Sequence, residues 1–337
     1  MKKFNEIFID KTKYGEKIQT SEYEKQGKHI IVDQGQAEIA GYTNREEGLF
    51  NEVPVIIFGD HTRLIKYIDE PFFLGADGVK VLRSKEKNAN YKYLYYALKS
   101  AKIPNTGYNR HFKWLKDVEI NYPDSVKQEK IVDILDRVSD VIEKRKAELS
   151  YLDTLIKARF VEMFGDPIRN TQNRPTTEFI NVVKMQRGFD LPVQDRQQDG
   201  EIPVYGSNGA LDYHNVAKIH GGVITGRSGT IGKVFYTEGD FWPLNTSLFS
   251  ADTHGNNVIY LGYLLQLFDL TRFVEGTGVP TLNRNMFHNK QIIDVPIDEQ
   301  RVFAAFVNEI DKSKSAVKKA LDETQLLFDS LMQEYFD

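Results

Sequence analysis

The 337-residue sequence contains no cysteine, which excludes disulfide bonds, catalysis by a thiolate and any zinc site with a cysteine ligand. None of its seven histidines stands four residues from another, as a zinc-binding pair on a helix would. No run approaches the roughly 20 apolar residues of a membrane-spanning helix, and the N-terminal residues lack the apolar core of a signal peptide. We therefore expect a cytoplasmic protein that holds neither a metal nor another cofactor.

A large excess of positive charge is also missing, because 44 basic and 48 acidic residues give a net charge of −4. Any binding of nucleic acid must then come from local basic patches or from partner subunits. The hydrophobic and charged fractions, 41% and 27%, are typical of one or two ordinary globular units.

The two halves of the sequence repeat one another, and such a repeat determines the architecture. Pro123 and Pro296 each precede a long helical pattern, and they lie 173 positions apart, close to half of the chain. The sequence ahead of each proline is mixed and rich in β-branched residues. Short segments match in the same order: 30–32 with 202–204, 56–59 with 223–226, and 93–94 with 260–261.

The two helical patterns carry heptads, in which apolar residues alternate at steps of four and three. Polar residues interrupt the two seams at different places, Arg145 and Arg159 in the first helix and Lys314 and Thr324 in the second. This difference favours two unlike helices that pair with each other as an intramolecular antiparallel coiled coil. The alternative is that each helix packs only on its own globular neighbour. The predicted seam consists of Ile131, Leu135, Val138, Ile142, Leu149, Ile156, Phe303, Val307, Ile310, Val317, Leu321 and Phe328.

The predicted fold class is α+β, with two β-rich domains separated by a long antiparallel two-helix coiled coil and related by a pseudo-two-fold internal repeat. The predicted boundaries are 1–124 for the first β-rich domain, 125–166 for the central helix, 167–296 for the second domain and 297–337 for the C-terminal helix. Helices of about 38 residues would each be roughly 55 Å long. A rod of this length can fix the distance between the two β-rich domains.

A glycine-rich stretch at 224–236 superficially resembles a phosphate-binding loop. Five residues separate Gly226 from Gly232 instead of four, and Val234 follows Lys233 where the motif needs serine or threonine. The β-branched and aromatic flanks instead favour two strands joined by a turn, which can present Arg227, Ser228, Thr230 and Lys233 to a ligand. A hairpin turn without function is the alternative.

Similar polar turns recur at 205–210 and 276–284, and different ones stand in the first half at 33–36, 59–63 and 107–111. They are rich in Asn, Gln and Arg, which hydrogen-bond base edges and phosphates. The candidate DNA-contacting residues of the first half are Gln34, Gln36, His61, Thr62, Arg63, Lys66, Asn109, Arg110 and His111. Those of the second half are Tyr205, Ser207, Asn208, Arg227, Ser228, Thr230, Lys233, Thr277, Asn283 and Arg284.

These motifs together resemble the specificity subunit of type I restriction-modification systems, over essentially the whole chain. The resemblance lies in the phrase at 205–209, the loop at 224–233 with Asn-Thr at 245–246, and the helix openings at 128–131 and 299–301. It implies two target-recognition domains, each of which reads one half of a bipartite site in double-stranded DNA. It also implies docking of two methylation subunits and, in the complete enzyme, of restriction subunits, with no catalysis by this chain. The first half departs from the usual phrases of this family at 32–36 and 59–61.

Three other functions compete with this one. A stand-alone DNA methyltransferase would need a cofactor-binding strand-to-helix turn and an Asn/Asp-Pro-Pro-aromatic segment, which 121–124 does not provide. A nuclease would need clustered carboxylates, and Asp60 or Asp77 alone is weak evidence for them. A coiled-coil adaptor whose globular ends bind proteins is the remaining alternative.

Overall fold

The computed structural model describes residues 1–75, 77–197, 199–276 and 280–336. The chain divides into two compact units. Unit 1 consists of Met1–Arg145 and Ala320–Asp337, and unit 2 consists of Lys146–Lys319. None of the helices in the described ranges is long and apolar enough to cross a membrane.

Unit 1 combines short strands with helices of very different lengths. Its strands are β1 (Lys2–Lys3), β2 (Phe8–Asp10), β3 (His29–Val32), β4 (Gly41–Thr43), β5 (Val55–Gly59), β6 (Ile65–Ile68), β7 (Phe72–Leu74), β8 (Val79–Ser84) and β9 (Glu119–Ile120). Its helices are α1 (Phe4–Ile7), α2 (Tyr91–Ser100), α3 (Phe112–Leu115), the first part of α4 (Ser125–Phe164) and the last part of α7 (Ile297–Phe336). Single 3-10 turns lie at Thr12–Tyr14 and Thr20–Glu22.

The core of unit 1 lies on both sides of strand β5, every residue of which is buried. Antiparallel pairing gives one sheet in the order β2-β8-β5-β6, and a second sheet has the order β4-β3-β7 with β3 and β7 parallel. Because side chains alternate along a strand, Ile56 and Phe58 face the cluster that includes α2 and α4. Val55 and Ile57 face the cluster that includes β3 and β7. A strand that is apolar on both faces therefore joins the two layers.

Unit 2 is built around longer strands. They are β10 (Thr176–Glu178), β11 (Lys184–Arg187), β12 (Ile202–Gly206), β13 (Gly209–His214), β14 (Ile219–Gly226), β15 (Val234–Pro243), β16 (Ser247–Asp252), β17 (Val274–Glu275), β18 (Thr281–Leu282) and β19 (Gln291–Ile293). The helices are the rest of α4, then α5 (Phe179–Val182), α6 (Val258–Phe268) and the first part of α7 (Ile297–Phe336), with 3-10 turns at Val193–Asp195, Leu270–Phe273 and Arg284–Met286.

One sheet with the strand order β11-β16-β14-β15-β12-β13 forms the body of unit 2. β14 and β15 pair antiparallel around the glycine-rich loop, and β12 lies parallel to β15. Val223 packs with the apolar helix α6, and its neighbour Ile224 packs on the opposite side with Phe241 and Phe249. The sheet therefore holds the ends of β12 and β14 in place, where the polar turns begin.

The same local contacts recur in both units. Asn90 caps α2 by accepting a hydrogen bond from Tyr93 N (3.0 Å), and Asn257 caps α6 by accepting one from Tyr260 N (3.1 Å). An asparagine at this position satisfies a backbone N–H that has no partner within the helix. The repeat predicted from the sequence is thus also a repeat of local structure.

The long helices α4 and α7 pair antiparallel within each unit. In unit 1, Asn121 Nδ2, just ahead of α4, donates to Tyr335 O (3.2 Å), while Arg145 bonds Ala320 O and Thr324 further along. In unit 2, Lys314 Nζ donates to Asp153 (2.6 Å). None of the twelve residues predicted for the seam is exposed. The predicted α+β fold, with two β-rich domains and an antiparallel pair of long helices, is confirmed.

A buried seam residue and its exposed neighbour on α4 provide a matched test of this pairing. Leu135 is 0% exposed and Ile134 is 40% exposed. We expect Leu135→Ala to lower the free energy of unfolding by about 2–5 kcal/mol, because the cavity adds to the lost transfer energy. Ile134→Ala should cost no more than about 1 kcal/mol. Denaturant unfolding of the full chain measures both, and equal losses would contradict a seam at Leu135.

Candidate nucleic-acid interface

Three polar segments of unit 2 that are distant in sequence come together at one end of its sheet. They are the 206–209 turn between β12 and β13, the 227–233 loop between β14 and β15, and the 280–284 segment around β18. Lys233 Nζ donates to Asn208 Oδ1 (2.8 Å), which joins the first two. Leu282 N donates to Arg227 O (2.8 Å), and Ser228 forms a β-bridge with Thr281, which join the third.

Close backbone packing shapes the 227–233 loop. A Cβ atom on Gly226 would lie 1.8 Å from Thr230 O and 3.0 Å from Ser207 O, so only glycine fits there. Gly229 and Gly232 have φ values of +82° and +96°, which glycine adopts without the steric cost of a side chain. Thr225 Oγ1 donates to Lys233 O (2.9 Å) and closes the base of the loop.

The side chains that this end of unit 2 presents are cations, amides and hydroxyls. Asn208, Lys233 and Asn283 are exposed, and the other candidates are partly exposed, namely Tyr205, Ser207, Arg227, Ser228, Thr230 and Arg284. Thr277 lies outside the described residues. The remaining second-half candidates therefore form one surface, which can donate hydrogen bonds to phosphate oxygens and base edges.

The corresponding loops of unit 1 are gathered around the side chain of Gln34. Its Nε2 donates to Asp77 O (3.0 Å), its Oε1 accepts from His61 N (3.1 Å), and its main-chain O accepts from Thr62 Oγ1 (2.7 Å). Gly78 packs directly against this amide, because a Cβ atom at position 78 would lie only 2.5 Å from Gln34 Nε2. Gln34 thus joins the loops that follow β3, β5 and β7.

Two first-half candidates are buried. His111 is 0% exposed, and its Nδ1 lies 3.0 Å from Asp60 O. The Lys66 side chain is 5% exposed, and its Nζ donates to Ala37 O (2.6 Å). Burial lowers the pKa of Lys66, against the opposing effect of Asp33. Neither side chain can enter a DNA groove in this arrangement, so we assign both to holding the loops in place.

The other first-half candidates reach the surface. Gln36, Thr62, Asn109 and Arg110 are exposed, whereas His61 and Arg63 are partly exposed. Arg63 has a φ of +62° and donates from Nη1 to Ile103 O (3.2 Å). The 104–111 segment also carries Tyr108, which is 88% exposed. Tyr108 is not among the residues that the sequence predicts, because its exposure depends on tertiary packing, which no spacing of residues signals.

Residues 1–151 and 170–324 each match the family model of the type I restriction modification DNA specificity domain. The chain belongs to this family. Over 133 residues it is 29% identical to the type I restriction enzyme EcoR124I/EcoR124II specificity subunit of Escherichia coli, an alignment that covers 36% of this chain and 33% of that protein. The chain thus matches only about a third of the length of this relative.

Solved structures from type I restriction-modification systems share the fold of this family member. The crystal structure of the type I restriction-modification system S subunit from M. genitalium aligns with all of this chain and 95% of its own, with a TM-score of 0.63 and 18% identity. A second structure, from work on complex assembly and conformational transition of the type I R-M system, aligns with 99% of this chain and 94% of its own. Its TM-score is 0.54 at 14% identity. The predicted membership of the type I specificity family is confirmed.

In the second specificity domain, a partly buried histidine, His288, joins the segment after β18 to strand β11. His288 Nε2 accepts a hydrogen bond from Met185 N (3.2 Å), which requires a ring nitrogen without a proton. Burial lowers the pKa of His288 below its ordinary value of 6.5, and Arg284 and Lys184 lower it further. Arg284, a candidate DNA-contacting residue, thus also favours the neutral form of His288.

This contact predicts that acid destabilises the second specificity domain. Below pH 6.5 the unfolded chain binds a proton at His288, whereas the folded chain binds it only at lower pH. The free energy of unfolding should therefore fall as the pH falls from 6.5 through the lower folded pKa, with nothing lost above 6.5. His288→Gln keeps an acceptor for Met185 N but does not titrate. Between pH 7.5 and 5.5 its free energy of unfolding should therefore fall less than that of the wild type. Equal pH slopes in denaturant unfolding would contradict this account.

Among the described ranges, no group of three or more His, Asp or Glu residues is placed to hold a metal ion. The absence of a metal from the function stays a prediction.

Proposed function

We propose that this chain is the DNA sequence-recognition subunit of a type I restriction-modification enzyme, and that each unit reads one half of a bipartite target in duplex DNA. The observation that supports this most directly is a duplicated scaffold with unlike loops. Unit 2 presents Arg227, Lys233 and Asn283, while unit 1 presents Asn109 and Arg110 at its own loops. Matching scaffolds with different polar residues suit two readers of two different sequences.

Two readers multiply specificity. Each mismatched base pair costs about 1–3 kcal/mol, roughly additively when the positions are well separated. We propose 1–124 and 167–296 as the target-recognition domains, and 125–166 and 297–337 as the helices that fix the number of unread base pairs between the half-sites.

The proposed partners are the other subunits of the enzyme. With a net charge of −4, the chain lacks the excess of basic residues that supplies most non-specific affinity for DNA. We propose that two methylation subunits supply this charge and the methyl transfer, that restriction subunits join in the complete enzyme, and that the chain itself catalyses neither reaction. A cytoplasmic location is part of the same proposal. The name of the E. coli relative, a specificity subunit of a restriction enzyme, supports a recognition role for this chain and catalytic roles for its partners.

Selection from a pool of random duplexes tests the proposal. The full chain is mixed with its cognate methylation subunit, bound duplexes are amplified over several rounds, and the enriched sequences are read. We expect two short motifs with a constant gap, and methylation at the same sites in cells that express both subunits.

Enrichment of no sequence would overturn the proposal and favour a coiled-coil adaptor that binds proteins. Methyl transfer by the chain without its partner would contradict the non-catalytic role. The double variant Arg227→Ala, Lys233→Ala assigns the half-sites, because it should weaken selection of one motif and leave the other intact.

A further inference from the structure

Tyr108 in unit 1 is an aromatic side chain held in a fixed position at the surface. It is 88% exposed, more than any other large hydrophobic or aromatic residue of the described ranges. One face of its ring stacks on His61, with ring centroids 4.7 Å apart and planes 9° from parallel. The rest of the side chain is largely open to solvent. A ring that is stacked on a neighbouring side chain by one face and is otherwise exposed keeps its other face available to a ligand.

The loop around Tyr108 is tied to itself and to the neighbouring loop. Asn105 Oδ1 accepts from Gly107 N (3.2 Å), and Asn109 Nδ2 donates to Thr106 O (2.5 Å). His61 Nδ1 lies 3.2 Å from Asn109 O, so His61 contacts this loop by a hydrogen bond as well as by stacking. The buried His111, next to Asp60, anchors the end of the loop. The backbone thus holds Tyr108 with little freedom to lose on binding.

Polar groups suited to DNA flank the ring. Asn109 and Arg110 are exposed beside it, and these residue types pair with adenine and guanine in the major groove. Asp77 nearby is paired with Lys17 (2.5 Å), which lowers the pKa of the Asp77 carboxyl group together with a smaller effect of Arg110. Its negative charge is therefore balanced within the protein.

The apolar ring face fits one group of the major groove in particular. Bases in a duplex are stacked, so their faces are covered, and the groove presents mainly hydrogen-bonding edges. The C5-methyl group of thymine is the apolar feature of those edges. We propose that Tyr108 is a specificity-determining residue of unit 1 that contacts a thymine methyl group, and that His61 is the positioning residue that holds its ring. This inference rests on the proposed function.

The test uses the full chain with its methylation subunit and the duplex selected above. Wild-type affinity is compared for thymine-containing duplexes and for duplexes with uracil in the half-site read by unit 1. Loss of one methyl contact should weaken binding about threefold to fivefold. Tyr108→Ala should weaken binding to the thymine duplex about tenfold and should no longer distinguish thymine from uracil. Tyr108→Phe keeps the ring face and should behave as the wild type.

Three further variants separate loss of a DNA contact from loss of folding. Tyr151→Ala removes another exposed tyrosine, 73% exposed on α4, and should leave the thymine preference unchanged. His61→Ala should reduce that preference, and His61→Phe, which can still stack, should restore it. Because Tyr108 is exposed, Tyr108→Ala should melt at the wild-type temperature. An unchanged melting temperature excludes unfolding as the cause of its weaker binding to DNA.

Several results would overturn the inference while the proposed function stands. They are unchanged affinity of Tyr108→Ala, equal loss on target and random duplexes, equal loss in Tyr108→Phe, and a unit 1 half-site without thymine or without sensitivity to uracil. Failure of the wild-type complex to prefer any sequence would instead remove the proposed function, and this inference with it.

Discussion

Replacing Gly226 by alanine is expected to abolish sequence-specific recognition by unit 2. The added Cβ atom would lie 1.8 Å from Thr230 O and 2.9 Å from Thr230 C, and backbone atoms cannot swing aside as a flexible side chain can. The 227–233 loop must therefore move, and Arg227, Ser228 and Lys233 move with it. Because Arg227 O accepts from Leu282 N (2.8 Å), the 280–284 segment loses its attachment too. Overpacking of this kind costs about 1–3 kcal/mol of folding free energy.

The matched control is Gly239→Ala in the neighbouring strand β15. A Cβ atom there would approach Thr237 Oγ1 no closer than 3.8 Å, and Gly239 does not have a positive φ. We expect that variant to bind the selected duplex as the wild type does. Titration of each complex with target duplex measures the affinity, and sequencing of methylated sites identifies the half-site affected. Wild-type recognition by Gly226→Ala would show that the loop does not need its present shape.

Gln34→Ala is expected to impair the whole half-site read by unit 1, although Gln34 need not touch DNA. The truncation removes the bonds to Asp77 O and His61 N, each worth about 0.5–1.5 kcal/mol net. The loops after β3, β5 and β7 then lose their common side-chain link. If the lost energy must be restored on binding, affinity for the target falls about tenfold or more.

Gln36→Ala is the matched comparison, because Gln36 is exposed two positions further along the same loop. A contact residue should affect one base position and leave the melting temperature unchanged. Gln34→Ala should instead lower the melting temperature and relax every position of its half-site in methylation sequencing. Identical profiles for the two variants would mean that Gln34 is an ordinary contact residue and does not position the loops.

The loops of unit 2 were predictable because glycine spacing and strand flanks are local signals. Gly226, Gly229 and Gly232 mark places where the backbone approaches closely or turns left-handed, and such places need glycine whatever the rest of the fold does. The heptads of α4 and α7 are equally local, and the seam residues that they predict are not exposed. The roles of Lys66, His111 and Tyr108 could not be read in this way. His111 and Tyr108 lie in one polar loop and Lys66 lies in strand β6, yet Lys66 and His111 are buried and Tyr108 is 88% exposed.

The sequence by itself determined the duplicated α+β architecture, the two unlike amphipathic helices and the polar turns, because periodicity, glycine and turn chemistry act over a few residues. Tertiary structure alone decided which turns meet and which side chains are free to act. Lys233 reaches Asn208 across 25 positions, and Gln34 reaches Asp77 across 43. Burial and partnership at such separations depend on how strands are ordered in a sheet, which no local pattern specifies.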